Sequence, residues 1–240
     1  MPLLIIAALL IAVSMMASRH ATHRYQQAMA RSRQSRAPYA HTGAEIARLF
    51  LKEEGITDVE VLAHQGVVTD YFDPQRRRLF LSRRVHDETS LAAWAVALHE
   101  AAHALQTRDT PGDFRWRQTV IRLNRYGPAF VAILLTILTV MKVFPPRIAL
   151  LFFGAAWIGI FLLNAGTLAI EWNANLRLRR FLDEHLGNYP DSRDQLDRIL
   201  PTVATRELGD ISQTLRYFFL SALPGSGKLR PTDTPPPPQS

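Results

Sequence analysis

His99-Glu100-Ala101-Ala102-His103 sets two imidazoles four residues apart with a carboxylate between them. On an α-helix this spacing puts both rings on one face, one turn apart, so they can share a metal ion while Glu100 stands beside it. Zinc takes neutral histidine nitrogens at about 2.0–2.1 Å, and catalytic zinc sites use three protein ligands and leave one position to water. The ion brings the pKa of that water toward neutrality, and a carboxylate can take its proton and pass it to a leaving amine. The chemistry is amide hydrolysis, with Zn2+ as cofactor, His99 and His103 as ligands and Glu100 as base. Zero cysteines exclude a disulfide scaffold, a Cys-ligated zinc, an iron–sulfur cluster and a thiol nucleophile, leaving any metal to histidines and carboxylates.

A third ligand must come from outside the motif. Asp109 lies six residues after His103, where some metallopeptidases carry one, but that extension needs a glycine at the third position to turn the chain back, and Gln106 stands there. Glu171 is the other candidate, in Glu171-Trp172-Asn173-Ala174-Asn175 directly after a long apolar run. A glutamate supplied by a second helix is a known zinc-ligand arrangement, with Asn175 one turn on as a residue that can orient a ligating histidine. By spacing alone Glu171 reads equally well as an interfacial charge that ends a membrane helix.

The elements that must hold these groups are legible in outline. Leu91 to about Thr107 is alanine-rich and apolar almost all round, which predicts a buried helix capped by Thr89 or Ser90 and carrying His99, Glu100 and His103. Thr42-Gly43-Ala44-Glu45 has the spacing of a capping box, so a helix follows, with Ile46, Leu49 and Phe50 on one face and Gly55 as its stop. Val59–Leu62, Val67–Tyr71 and Leu79–Ser82 read as short strands separated by His64-Gln65-Gly66 and Asp73-Pro74-Gln75. Tight turns between consecutive strands predict a small antiparallel sheet with one free edge.

Three apolar blocks set the wider context: Leu3–Ala17, Ala129–Phe144 and Ile148–Ile170. The first reaches only about 23 Å as a helix against a hydrocarbon core of about 30 Å, and lacks the basic start of a signal peptide, so it reads as an uncleaved anchor. The second and third are joined by Lys142-Val143-Phe144-Pro145-Pro146-Arg147 and form a membrane hairpin. The chain has 28 Lys+Arg against 21 Asp+Glu, a net charge of +7. Its arginines crowd the ends of the apolar blocks, which is the positive-inside pattern rather than a nucleic-acid footprint. Arg19, Arg24, Arg31, Arg33 and Arg36 follow the first block, and Arg108, Arg115, Arg117, Arg122 and Arg125 precede the second. The connector holds only Lys142 and Arg147, so both large polar regions are expected on the cytoplasmic side. Arg76, Arg77, Arg78, Arg83 and Arg84 flank no block and read as a solvated face.

Thr42-Gly43-Ala44-Glu45-Ile46-Ala47, Thr69-Asp70-Tyr71-Phe72-Asp73-Pro74, Leu81-Ser82, His99 to Gln106 and Glu171 to Arg177, in that order, resemble the blocks of the bacterial membrane zinc metallopeptidases. The resemblance spans roughly residues 25 to 180. It implies His99, His103 and Glu171 as zinc ligands and Glu100 as base. Ala102 stands where the family usually has glycine and Phe72 where tyrosine is common, and the C-terminal apolar helix shrinks to Tyr217–Leu223.

The expected fold is therefore an α+β membrane protein, a zincin-like domain interrupted by a transmembrane hairpin. Its order is an anchor at 1–18, a basic linker at 19–40, a sheet and HExxH part at 41–127, the hairpin at 128–170, a cytoplasmic helical part with the third ligand at 171–222, and a Pro-rich disordered tail at 223–240. The expected function is hydrolysis of peptides or membrane proteins at the inner membrane, with the lipid bilayer as the other partner and no nucleic acid. An extended substrate would pair with the strand around Val67 to Tyr71. The rival is a membrane adaptor with a structural or vestigial zinc site, against which the presence of Glu100 weighs. The arginine asymmetry is checked by a reporter active only in the cytoplasm: fused after Ser240 it is expected to work, and inserted between Pro145 and Pro146 to fail.

Overall fold

A computed structural model describes residues 2–65 and 69–210. The described chain is mostly helical. Helix α1 (Pro2–Ser32) runs unbroken through the first apolar block and most of the basic stretch after it. Helix α2 (Gly43–Glu53) starts at its capping box, with Thr42 Oγ1 accepting from Glu45 N at 3.2 Å and Glu45 Oε2 accepting from Thr42 N at 2.8 Å. Gly55, at φ 69°, ends it in the left-handed region.

Strands β1 (Glu60–His64), β2 (Tyr71–Asp73) and β3 (Arg78–Ser82) form one sheet in the order β1-β3-β2. The sheet is mixed, not antiparallel: β2 pairs with β3 antiparallel, but β1 pairs with β3 in parallel. The reason lies in the strands' own apolarity. Leu79, Phe80 and Leu81 are all buried, so β3 needs cover on both faces and takes the centre, whereas β2 buries only Phe72 and sits at an edge. The chain therefore passes from β1 to the far side of β3 before returning through the β2–β3 turn. In that turn Asp73 Oδ1 accepts from Gln75 N at 2.9 Å and Arg76 N at 3.2 Å. Val67 and Val68, expected as strand, lie outside the described residues.

The arginines beside the sheet form a solvated, ion-paired face. Arg77 donates to both carboxylate oxygens of Asp58 at 2.8 Å, and Arg78 Nε donates to Glu60 Oε2 at 3.0 Å across the parallel pair. Arg77 Nη1 also donates to Thr107 Oγ1 at 3.0 Å, fastening the sheet to the helix that carries the motif.

After the short α3 (Arg83–Asp87), that helix, α4 (Leu91–Asp109), is capped by Ser90, whose Oγ accepts from Ala93 N at 3.2 Å. Every residue from Leu91 to Gln106 is buried. Helices α5 (Pro111–Val140) and α6 (Pro146–Gly166) form a hairpin, and α5 begins well before the second apolar block. Then come α7 (Leu168–Arg177), α8 (Arg179–Leu186), α9 (Pro190–Ala204) and α10 (Arg206–Asp210). Around α4 the core collects Ile46, Phe50, Leu79, Leu81, Phe114, Leu178, Leu182 and Leu196.

Three helical stretches, Pro2–Ser32, Pro111–Val140 and Pro146–Leu186, are long and apolar enough to cross a membrane. Leu9, Phe130, Leu150 and Leu162 on them are at least 60% exposed, an outward apolar face that water would penalise and hydrocarbon would not. Inside the group, Trp157 Nε1 donates to Ser14 Oγ at 2.8 Å, joining α6 to α1. The segment Tyr217–Leu223 and the Pro-rich tail lie outside the described residues.

Gly43 is required by close approach: a Cβ there would sit 2.0 Å from Val85 O, and the neighbour is backbone that cannot step aside. Gly43→Ala is expected to destabilise by about 3 kcal/mol through overpacking. Gly112→Ala, with nothing within 4 Å of the new Cβ, is expected to leave stability unchanged. Circular dichroism melts of the two detergent-purified variants check this.

Candidate metal centre

His99 and His103 stand one turn apart on α4 with ring centroids 4.9 Å apart, edge to face. Glu171, in the first turn of α7, reaches between them: Oε2 lies 3.1 Å from His99 Nε2 and 3.4 Å from His103 Nε2. One ligand atom from each of the three residues falls within 4.8 Å of the others, although Glu171 is 72 residues from His99 in sequence. The hairpin of α5 and α6 closes that gap. It leaves the core after Asp109 and returns at Thr167, where Thr167 Oγ1 caps back onto Asn164 O at 2.7 Å before α7 begins.

Asp109 is not near the histidines' shared face. It ion-pairs with Arg177 and, at 2.9 Å, with Arg108, and these hydrogen bonds hold its carboxyl below the usual range. Between the two candidates that spacing left open, the structure brings Glu171 to the histidines and leaves Asp109 at the surface.

Each imidazole is pinned by an amide whose orientation is itself dictated. Asn175 Nδ2 donates to Leu200 O at 2.9 Å, which turns its Oδ1 toward His99 Nδ1 at 2.8 Å. Gln106 Nε2 donates to Ile170 O at 2.7 Å, which turns its Oε1 toward His103 Nδ1 at 2.7 Å. An amide oxygen only accepts, so both Nδ1 atoms carry the proton and both Nε2 atoms present a lone pair. Burial pushes His103 down toward the neutral form, with the nearby Arg117 cation acting in the same direction and Glu171 opposing.

Two lone pairs thus face a carboxylate oxygen in a buried site. His103 Nε2 has no hydrogen-bond partner among the described residues, and neither has Glu100 Oε2. Such orphaned buried atoms are costly unless a cation or water answers them. Two nitrogens and one carboxylate oxygen, with no sulfur, are a donor set that fits catalytic zinc. On these observations the residues present fit the ion: His99 Nε2, His103 Nε2 and Glu171 would hold it.

Arg117, counted in the sequence with the lipid-flanking arginines, instead ion-pairs with Glu171 and is 4% exposed. Its signal was available: Phe114, Arg117, Val120 and Asn124 repeat along one buried stripe of α5, and a charge inside such a stripe needs a partner. Gln106, read only as a missing glycine, is the clamp on His103. Arg206, which ion-pairs with Glu100, and Glu207, which ion-pairs with Arg117 and Arg206, carry no pattern that marks them. Burial lowers the Arg206 pKa, but Glu100 and the acidic groups around it more than offset this and keep the guanidinium charged.

The comparisons agree with the geometry. Residues 3–220 match the family described as "Putative neutral zinc metallopeptidase", and the chain belongs to that family. A curated relative, "Putative membrane protease YugP" of Bacillus subtilis (strain 168), is 31% identical over 147 residues, covering 59% of this chain. The chain spans 61% of that relative's length. No solved structure matches.

The amide clamps predict an effect on affinity without any change of ligand. Asn175→Leu frees the His99 ring and is expected to weaken zinc binding about 10–100-fold, while Asp109→Ala leaves it unchanged. Competition with a chromophoric chelator measures both.

Proposed function

We propose that this chain is a membrane zinc metallopeptidase that hydrolyses peptide bonds at the cytoplasmic face of the inner membrane. The observation that carries the reading is the convergence of His99, His103 and Glu171 ligand atoms within 4.8 Å, beside a Glu100 carboxylate with one oxygen uncommitted. Zinc held by the three supplies the Lewis acidity that makes water a nucleophile near neutral pH. Glu100, through Oε2, takes the proton from the attacking water and returns it to the leaving amine nitrogen as the C–N bond breaks. Asn175 and Gln106 keep the histidine rings in the ligating tautomer.

The zincin-like reading also rests on the sheet. β2 is an edge strand, and Phe72 on it packs at 6.1 Å between ring centroids from Phe114, which in turn lies 5.6 Å from the His103 ring. An extended substrate adding to that edge would run past the motif helix. In this reading residues 41–127 and 171–222 are two parts of one catalytic unit, separated by the hairpin at 128–170. The unit is tethered by the anchor at 1–18 and the basic stretch at 19–40, with a tail at 223–240. Because Glu171 follows the third apolar helix directly, the favoured substrates are membrane proteins or membrane-bound peptides.

Detergent-purified protein is expected to hold about one zinc per chain and to cleave a generic peptide substrate in a chelator-sensitive way. Glu100→Gln should keep the zinc and lose turnover at least about 100-fold, because a neutral amide cannot accept the proton. Glu171→Ala should lose both together. Near wild-type cleavage by Glu100→Gln would refute the mechanism, and zinc without cleavage in the wild type would make the chain an adaptor.

A further inference from the structure

Arg206 opens α10 and is 7% exposed. Its Nη2 donates to Glu100 Oε1 at 2.8 Å, to Asp70 O at 3.2 Å and to Glu207 Oε1 at 3.3 Å. The Tyr25 ring lies against the guanidinium, its centroid 5.9 Å from Cζ. Three acceptors thus crowd one nitrogen. Nε and Nη1, both buried, have no hydrogen-bond partner among the described residues. Arginine–carboxylate pairs are frequently bidentate, with two nitrogens on one carboxylate. Here one contact is made and the rest of the rigid plane stays uncommitted, which is costly for a buried cation. The Tyr25 hydroxyl also interacts with this guanidinium, but what Nε and Nη1 lack is an oxygen acceptor in bonding geometry.

Position says which oxygen. Arg206 touches Glu100 through Oε1, and Oε2 of the same carboxylate is the atom without a partner. Through the same Nη2 it holds the carbonyl of Asp70, the residue immediately before edge strand β2. That nitrogen therefore links the proton-accepting group to the start of the strand edge along which an extended peptide would lie. We propose that Arg206 binds the oxygen of the scissile carbonyl and stabilises the negative charge that develops on it. This rests on the peptidase reading and adds its oxyanion-binding group.

The step balances without another reactant. The water oxygen bonds to the carbonyl carbon, the π pair moves onto the carbonyl oxygen facing Arg206, and the water proton goes to Glu100. The oxygen pair then re-forms the C=O bond, the C–N bond breaks with its pair going to nitrogen, and nitrogen takes the proton from Glu100. Arg206 keeps all its protons throughout. Its donors are fixed before the charge appears, by Glu100, Asp70 and the Tyr25 ring, and preorganisation of that kind makes such a group effective.

The test uses the full-length, zinc-loaded protein in detergent with Arg206→Ala and Arg206→Gln, measuring zinc per chain, kcat and KM on a generic peptide substrate. Arg206 touches none of the three ligand residues, so both variants are expected to keep zinc. kcat should fall about 10²–10³-fold with KM within a few-fold of wild type. Free guanidinium ion at a non-denaturing concentration should restore part of the turnover to Arg206→Ala and none to Arg206→Gln, whose side chain fills the space. Turnover at or above the wild-type level in either variant overturns the proposal, as does a loss confined to KM. If Arg206→Ala fails to fold, Arg206→Gln decides, and loss of zinc from both makes Arg206 a structural tether and the proposal wrong. A zinc-loaded wild type with no turnover overturns the peptidase reading and this inference together, whereas an active Arg206 variant overturns this inference alone.

Discussion

Burying a carboxylate beside two imidazoles that offer it only lone pairs is an arrangement a protein cannot hold cheaply, and much of this architecture answers that constraint. Glu171 is 1% exposed and His103 fully buried, so water cannot screen them. Unpaired charge in such a place costs several kcal/mol. Arg117 on α5 supplies one compensating charge, and the geometry of the three ligand atoms leaves room for another. The hairpin of α5 and α6 therefore does more than present an apolar surface. Its first helix delivers the arginine and the segment after its second delivers the glutamate, so the centre is assembled from both ends of the apolar excursion.

The same logic extends to α10, whose backbone is held by polar groups set into otherwise apolar helices. Ser18 Oγ on α1 contacts Gly209 O at 3.1 Å, and Asn164 Nδ2 on α6 donates to Glu207 O at 3.0 Å. A Cβ on Gly209 would lie 2.3 Å from Thr22 Oγ1, so the two backbones meet closely. Polar residues within apolar helices are expensive and usually answer a specific partner. Here the partner is the short helix whose side chains reach Glu100 and Arg117. The packing of the apolar helices is thereby coupled to the position of the carboxylate network.

The residues legible in advance were those whose signal is local. The HExxH spacing, the capping box at Thr42 and the all-round apolarity of α4 each follow from a few neighbouring residues, and the structure has them where the pattern puts them. Sheet topology did not read out, because pairing partners depend on which strand needs cover on both faces, and tight turns suggested a meander that β3's burial overrides. Glu171 was only half legible: spacing offered it equally with an interfacial role, family resemblance favoured it as a ligand, and the structure brings its carboxylate to the two imidazoles. Arg206 and Glu207 were invisible, since a surface-like Arg-Glu pair acquires meaning only when a distant carboxylate is folded against it. Arg117 was misread because a charge beside an apolar block obeys the positive-inside pattern whether it faces headgroups or the core.

The central claim is that a buried trio of two imidazoles and one carboxylate is a zinc centre. Zinc K-edge X-ray absorption on the purified protein tests it directly. The expected result is a four-coordinate ion with nitrogen and oxygen neighbours at about 2.0–2.1 Å, outer-shell scattering from two imidazoles and no sulfur. A six-coordinate aquated ion, a third imidazole in place of the carboxylate, or no bound zinc at all would contradict it.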